Sequence, residues 1–572
     1  MDNIIIGKSQ LDKHYKYKNS YKSNETFFGL GIENEKYLEF ENKIDFSKDK
    51  FIKNRKRERY SVDYNTNYKE DIYLIALNKF VNENYNEKLP LLINSHSFTH
   101  TDCKNNSITL YTKNCEPNPK YLGETLFEKL TNHNKYFQNE YQKTFTFDGD
   151  TIEIITNKFY NATIDETIME LSLNSKNFIL NLQRCQKELD LFSEYGKINF
   201  MTDNHPFAVH LTNLNNMAIF NNGTLHFNIT LPTELDHNRL IKNKSLFIEN
   251  HKNLIKMIQT VEPLLMVVYG TPDILHKYND EKLFSASSQR CAISRYIGIG
   301  TYDTDKMLNG KMLIDDINNI TCNSLEYWWF HKYYENCAYN KLNILGYDIN
   351  FNKHYNHGIE IRFFEHIEDL NKIREVFEFF IFLADFVLDK NNYEHFSNLE
   401  NPIKNINWNN LVHKTFKTGN HTVLDQDEIN FFNHFFKYKF TENNIVSIFY
   451  EIYTLLFKKY YNNGVFSDLC VTKYLSHDSD MFKYYFKNTK NMENIEETEN
   501  NNLNIDQIIQ DFDIINDFKN NIFNDDNSDK NSIVTDTTTS SLNKNKKKVK
   551  FCKNNNKDKE KFTKGGNCCT IS

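Results

Sequence analysis

Four short segments set ionisable side chains at alternate positions within apolar runs, and a β-strand is the backbone that such alternation demands. They are Gly31-Ile32-Glu33-Asn34-Glu35, Asp148-Gly149-Asp150-Thr151-Ile152-Glu153-Ile154-Ile155, Leu225-His226-Phe227-Asn228-Ile229 and Gly358-Ile359-Glu360-Ile361-Arg362-Phe363. Residues i and i+2 of a strand share a face, roughly 6.5–7 Å apart. Each segment therefore shows polar groups on one side and apolar packing on the other. If the strands share a sheet, one face gathers Glu33, Glu35, Glu153, Glu360, His226, Asn228 and Arg362. That set suits divalent cations and polyphosphate. Singly, each segment has a plainer reading: a solvated Glu-x-Glu face, a hydrogen-bonded His–Asn pair, a surface Glu–Arg rung. Glu153 is more telling, because it stands among isoleucines and an unpaired buried carboxylate is costly. The shared pattern, rather than any one segment, carries the argument.

With 572 residues, 39% apolar and 15% aromatic, the chain can bury a substantial core. A net charge of -7 argues against nucleic acid as a specific partner. No run approaches the ~20 apolar residues of a spanning helix, and the first residues lack a secretory pattern. Ten cysteines without a Cys-x-x-Cys pair fit a reducing, cytoplasmic compartment.

Residues 1–25 read as a polar lead-in, 26–400 as an α+β catalytic body, 401–487 as a helical, aromatic extension and 488–572 as a disordered tail. Helical periodicity marks 164–191, 242–268 and 369–388. Residues 200–232 read as two strands joined by a turn at Asn221-Asn222-Gly223, and 359–364 as a strand. His96 and His100 read as ordinary strand residues. Residues 36–147 show no assignable motif.

The order of these segments resembles the glutamine synthetase / glutamate–cysteine ligase superfamily of carboxylate–amine ligases, especially its amidoligase-like branch. Phe28-Gly29-Leu30-Gly31-Ile32-Glu33-Asn34-Glu35 is similar to the opening Gly-Ile/Val-Glu-x-Glu strand. The stretch from Thr146 through Asp148-Gly149-Asp150 to Glu153-Ile154-Ile155-Thr156 is similar to the Asp-Gly-Ser…Glu-Ile-Val segment, and Asn222–Thr230 to the His-x-His/Asn strand. Val261–Pro272 resembles the following helix, Ser288-Gln289-Arg290 a Ser-x-Arg element, with Arg295 an alternative, and Gly358–Phe364 the late Ile-Glu-x-Arg strand.

The resemblance implies a curved antiparallel sheet flanked by helices. It also implies ATP-dependent amide formation, in which a substrate carboxylate is phosphorylated to an acyl phosphate that an amine then attacks. Glu33, Glu35, Glu153, Glu360 and His226 would hold two or three Mg²⁺ or Mn²⁺ ions. His226, Asn228 and Arg362 would meet ATP, and Arg362 with Arg290 or Arg295 would neutralise the transferring phosphoryl group. The alternatives are an inactive scaffold built on the same fold and a guanidino kinase-like phosphotransferase.

The tail adds an expected address. Cys569-Thr570-Ile571-Ser572 has the form of a prenylation box, Cys568 is a palmitoylation candidate, and ten lysines lie between Lys544 and Lys564. A lipid plus a basic run would hold the chain peripherally on an anionic cytosolic membrane face.

Overall fold

The computed structural model describes residues 26–44, 79–80, 82–84, 88–99, 124–148, 151–156, 161–204, 207–211, 213–219, 223–237, 241–278, 285–288, 291, 349–351, 358–400, 402 and 405–471. Arg290, Arg295, Gly149, Asp150, His100, Cys568, Cys569 and the lysine run lie outside them, as do the lead-in and the tail.

The described part is α+β, with two sheets. The first has six strands, β4 (Phe145–Asp148), β5 (Thr151–Ile155), β1 (Thr26–Lys36), β9 (Thr224–Glu234), β11 (Ile359–Glu365) and β10 (Ile349–Phe351), side by side in that order. Every pairing in it is antiparallel. The second runs β6 (Ile198–Phe200), β2 (Leu38–Phe40), β3 (Leu91–Ile93), β7 (Phe207–His210), β8 (Asn213–Ile219), and is mixed because β3 and β7 are parallel. Only Tyr37 separates β1 from β2, so one nearly continuous chain segment serves both sheets.

Three long helices back the first sheet. The capping box of Thr163 and Glu166 starts α4 (Ile164–Glu188), whose Ile164, Ile168, Leu171, Phe178 and Leu182 recur at helical spacing and are buried. Asn243 caps α5 (Lys244–Tyr269). It ends at Gly270, where a Cβ would lie 2.2 Å from the Met266 carbonyl oxygen. Asp369 caps α6 (Leu370–Leu388) through the Asn371 N–H. The buried positions of α6 encircle it, as expected of a helix packed on several sides.

Between sheet and helices sits the core. Leu30, Ile32, Leu225, Phe227, Ile229, Ile359 and Ile361 are all at most 1% exposed. Phe227 meets Phe377 and Phe380 of α6 with ring centroids 4.7 and 5.7 Å apart. Burial of each such side chain stabilises the fold by about 1.5–3 kcal/mol. The smaller helices α1 (Ser95–Thr99), α2 (Leu126–His133) and α3 (Lys135–Glu140) precede β4.

The C-terminal helices join the same core. They are α7 (Tyr393–Asn398), α8 (Ile406–Thr418), α9 (Gln426–Phe436), α10 (Ile445–Tyr460) and α11 (Ser467–Cys470). Trp408 of α8 donates its indole N–H to the Gln259 carbonyl on α5 at 2.9 Å. Phe449 of α10 packs edge-on to Phe379 of α6. Among the described residues no helix is long and apolar enough to cross a membrane.

Two expectations need correction. The region 200–232 is not one hairpin: β7 and β8 pair within the second sheet, whereas β9 belongs to the first. Of the expected turn, Gly223 is described, and it leads into β9 in the first sheet; Asn221 and Asn222 lie outside the described residues. His96 lies in a short helix, α1, rather than in a strand.

Candidate cation-binding face

Directly opposed residues of antiparallel strands project to the same face, so the register alone assembles the site. Glu35 stands opposite both Glu153 and Thr224, Glu33 opposite His226, and Asn228 opposite both Gly31 and Glu360. The sheet therefore carries Glu33, Glu35, Glu153, His226, Asn228 and Glu360 on the face turned away from the helices. β1 contributes two carboxylates at i and i+2, and its Gly31 leaves the position across from Asn228 without a side chain.

The centre of this face is tight. His226 Nδ1 lies 2.9 Å from Glu33 Oε2 and 3.6 Å from Glu360 Oε1, and its Nε2 lies 3.5 Å from Glu35 Oε1. Thr224 donates its hydroxyl to Glu35 Oε2 at 2.5 Å. Arg362 Nη1 donates to Glu360 Oε1 at 3.0 Å. Glu33, Glu35, His226, Asn228 and Glu360 are buried, with Glu360 fully so. Arg362 and Glu153 are half-buried, at the margin. Glu153 is therefore less enclosed than its isoleucine neighbours led one to expect.

Charge and geometry both fit a divalent cation. With the carboxylates ionised, Glu33, Glu35 and Glu360 surround one imidazole, and Arg362 pairs with Glu360. Like charges crowded at low dielectric repel unless a cation joins them. Glu33, His226 and Glu360 each offer a ligand atom, all within 4.8 Å of one another. Donors on opposite sides of a magnesium ion are roughly 4.2 Å apart, so small side-chain rotations would close the shell. Both amide atoms of Asn228 are buried without a hydrogen-bond partner. A buried polar group in that state costs about 1–3 kcal/mol, which an incoming ligand would recover.

Behind β1, on its other face, a second polar group supports the strand. His366 Nδ1 lies 3.3 Å from Asn34 Oδ1, its Nε2 lies 2.9 Å from Glu368, and Lys36 Nζ lies 3.5 Å from Glu368. Burial pushes the Lys36 ammonium and the His366 imidazolium below their ordinary ranges. Burial opposes the charge on Glu368, yet its hydrogen bond with His366 and the nearby Lys36 hold its carboxyl below the usual value.

Two participants escaped the sequence reading. Thr224 binds Glu35 directly. Glu365, fully buried, stands opposite Thr224 because β11 shifts register between Ile361 and Phe364. Strict alternation from Glu360 assigns Glu365 to the helix side. The adjacent Phe363 and Phe364, both buried, are the sequence sign that alternation breaks there.

No family model matches the chain. Over 465 residues it is 34% identical to the uncharacterized protein R704 of Acanthamoeba polyphaga mimivirus, with 80% of each chain covered. Identity of that depth over that length places the chain in one family with the mimivirus protein R704.

Proposed function

We propose that the chain is an ATP-dependent carboxylate–amine ligase that uses Mg²⁺ or Mn²⁺, built on a glutamine synthetase-like sheet. The observation that carries this reading is the buried Glu33–His226–Glu360 cluster on one antiparallel sheet, with Glu35 beside it and Arg362 on its rim.

Glu33, His226 and Glu360 would hold one cation, and Glu35 with Glu153 a second. A bound cation supplies charge neutralisation for phosphoryl oxygens. The chain's own residues do the rest. Thr224 fixes the direction of the Glu35 carboxylate, and Glu33 fixes the ring of His226. Asn228 offers a donor and an acceptor to a ligand over Gly31. Arg362, half-exposed beside Glu360, meets anionic oxygen at the edge of the face. Phosphoryl transfer needs mainly such positioning and neutralisation. The substrate carboxylate would attack the γ-phosphorus with loss of ADP. The amine would then displace phosphate from the acyl carbon and lose a proton.

The test is Mn²⁺ binding by electron paramagnetic resonance, paired with ADP and phosphate release across panels of amino acids and amines. Wild type should bind Mn²⁺ and release phosphate only when both substrate classes are present. Glu33→Gln and Glu360→Gln should weaken Mn²⁺ binding by more than the roughly 10–100-fold of an outer-shell change, with little change in melting temperature. ADP release with a stable phosphorylated guanidine or acid, and no amide, would replace the ligase by a phosphotransferase. A wild-type chain that binds neither Mn²⁺ nor nucleotide sinks the reading.

A further inference from the structure

The loop 285–288 is fastened on three sides. Ser285 O accepts the Asp273 N–H at 2.8 Å, just beyond α5. Ala286 donates its N–H to the Phe416 carbonyl of α8 at 2.8 Å. At the end of that helix Gly419 sits at φ +52°, and a Cβ there would come within 2.3 Å of the Ala286 oxygen. Inside the loop, Ser285 Oγ accepts the N–H groups of Ser287 and Ser288 at 3.1 and 3.0 Å. Ser288 is fully buried. Its Oγ accepts the Cys291 N–H at 3.1 Å, so its own proton is directed elsewhere, and it donates to Glu365 Oε1 at 2.7 Å. Cys291 Sγ meanwhile meets the Phe363 carbonyl at 3.3 Å, within the irregular part of β11.

Glu365 is the residue that the register shift returns to the polar face, opposite Thr224. Thr224 in turn holds Glu35. The next residue, His366, donates its N–H to the Gly223 carbonyl at 3.1 Å, and Gly223 lies against the Glu35 carbonyl. The loop, the end of β11 and the start of β9 thus converge on one edge of the carboxylate face.

We propose that Ser288 and Glu365 are a positioning pair. Their hydrogen bond fixes the Thr224–Glu35 edge of the cation site, and Ala286 ties that edge to the C-terminal helices. Neither residue touches the reacting atoms. The inference rests on the cation reading above and adds to it a role for α8 and for two residues outside the ligand set. Outer-shell partners of this kind change metal affinity because they orient the ligands.

The experiment is Mn²⁺ titration of the full chain, followed by electron paramagnetic resonance, with the melting temperature measured alongside. Wild type is compared with Ser288→Ala, Ser288→Thr, Glu365→Ala and Gly419→Ala. Ser288→Ala and Glu365→Ala, which remove the donor and the acceptor of the bond, should weaken Mn²⁺ binding by about 10–100-fold. Ser288→Thr, which keeps the hydroxyl, should retain most of the wild-type affinity. Gly419→Ala leaves both residues of the pair intact and pushes on Ala286, and it should weaken binding in the same direction. Wild-type affinity in both Ser288→Ala and Glu365→Ala overturns the inference, even if both melt earlier, because that is the signature of a purely structural bond. Should Ser288→Ala fail to fold, Glu365→Ala and Gly419→Ala decide it by the same criterion. Absence of Mn²⁺ binding by wild type is a different failure: it removes the cation reading itself, and the pair then has nothing to position.

Discussion

Asn228 shows how a residue can be unfavourable for the fold and useful to the site. Its amide is buried at 3% exposure, and neither Oδ1 nor Nδ2 has a hydrogen-bond partner. A leucine branches at Cγ as asparagine does and carries no polar atom to desolvate. Removing an unsatisfied polar group from a buried position is neutral or stabilising, and stability gained at a binding site tends to cost function. Asn228→Leu should therefore leave the melting temperature of the ligand-free chain unchanged or raised by a few degrees, while Mg-ATP no longer raises it. Thermal shift with and without Mg-ATP checks both halves. A lowered melting temperature without ligand would mean that Asn228 is structural. At this scale the alternation of residue types marks Glu33, Glu35, His226 and Glu360 each on the polar face of its strand, because a two-residue period is a property of the sequence, whereas their meeting depends on the strands sharing a sheet. Thr224 stayed hidden because a threonine in a strand is ordinary. Glu365 stayed hidden because one extra residue in β11 inverts the period.

The elements that read most easily were the helices, and the reason is energetic. α4, α5 and α6 each spend long apolar faces on one core, and Thr163, Asn243 and Asp369 mark their starts with capping side chains. The strands β7, β8 and β9 were harder. Their run of short apolar segments resembles a hairpin, and nothing local records that β9 pairs with β1 and β11, far away in sequence, rather than with β8. The join between them depends on Gly223, whose φ is +100° and where a Cβ would fall 1.8 Å from the Glu35 carbonyl oxygen. Gly223→Ala must either strain the backbone or push β1 away from β9, at a cost of about 1–3 kcal/mol. It should lower the melting temperature and, because Glu35 moves, abolish Mn²⁺ binding as well. Thr163→Ala offers a control of similar size. Loss of that helix cap costs about 1 kcal/mol, but α4 contributes no ligand, so Mn²⁺ affinity should persist. Equal loss of binding in both variants would show that the assay reports unfolding rather than site geometry.

For the molecule as a whole, the helical layer is more than apolar packing, and its buried acids give stability a defined pH dependence. Glu378 of α6 is 2% exposed and accepts the Tyr453 hydroxyl of α10 at 3.1 Å. Burial pushes its carboxyl up to about 8, against the opposing charge of Arg374, and Glu375 and Asp165 add to the rise. Asp385, about two turns further along α6, is raised by burial to about 6 while it accepts the N–H groups of Phe466 and Ser467. Both folded-state values lie above those of the unfolded chain. Between the two values the folded protein binds a proton that the unfolded chain has released, so stability falls as pH rises. The Asp385 contribution is spent by about pH 6, and that of Glu378 continues to about pH 8. His366, whose imidazolium is disfavoured by burial, acts below its ordinary value and in the opposite sense. From about pH 6.5 to 8 the difference between wild type and a variant that cannot ionise at this position reports Glu378, whose share of the slope approaches 1.4 kcal/mol per pH unit. Glu378→Gln keeps an acceptor for Tyr453 and cannot ionise. Denaturant unfolding at pH 6.5, 7.2 and 8 should show wild type losing stability across the series, with the variant flatter by up to that slope. Parallel lines for the two proteins would mean that Glu378 is already ionised in the folded state. The packing of α6 against α10 would then have to accommodate a buried negative charge.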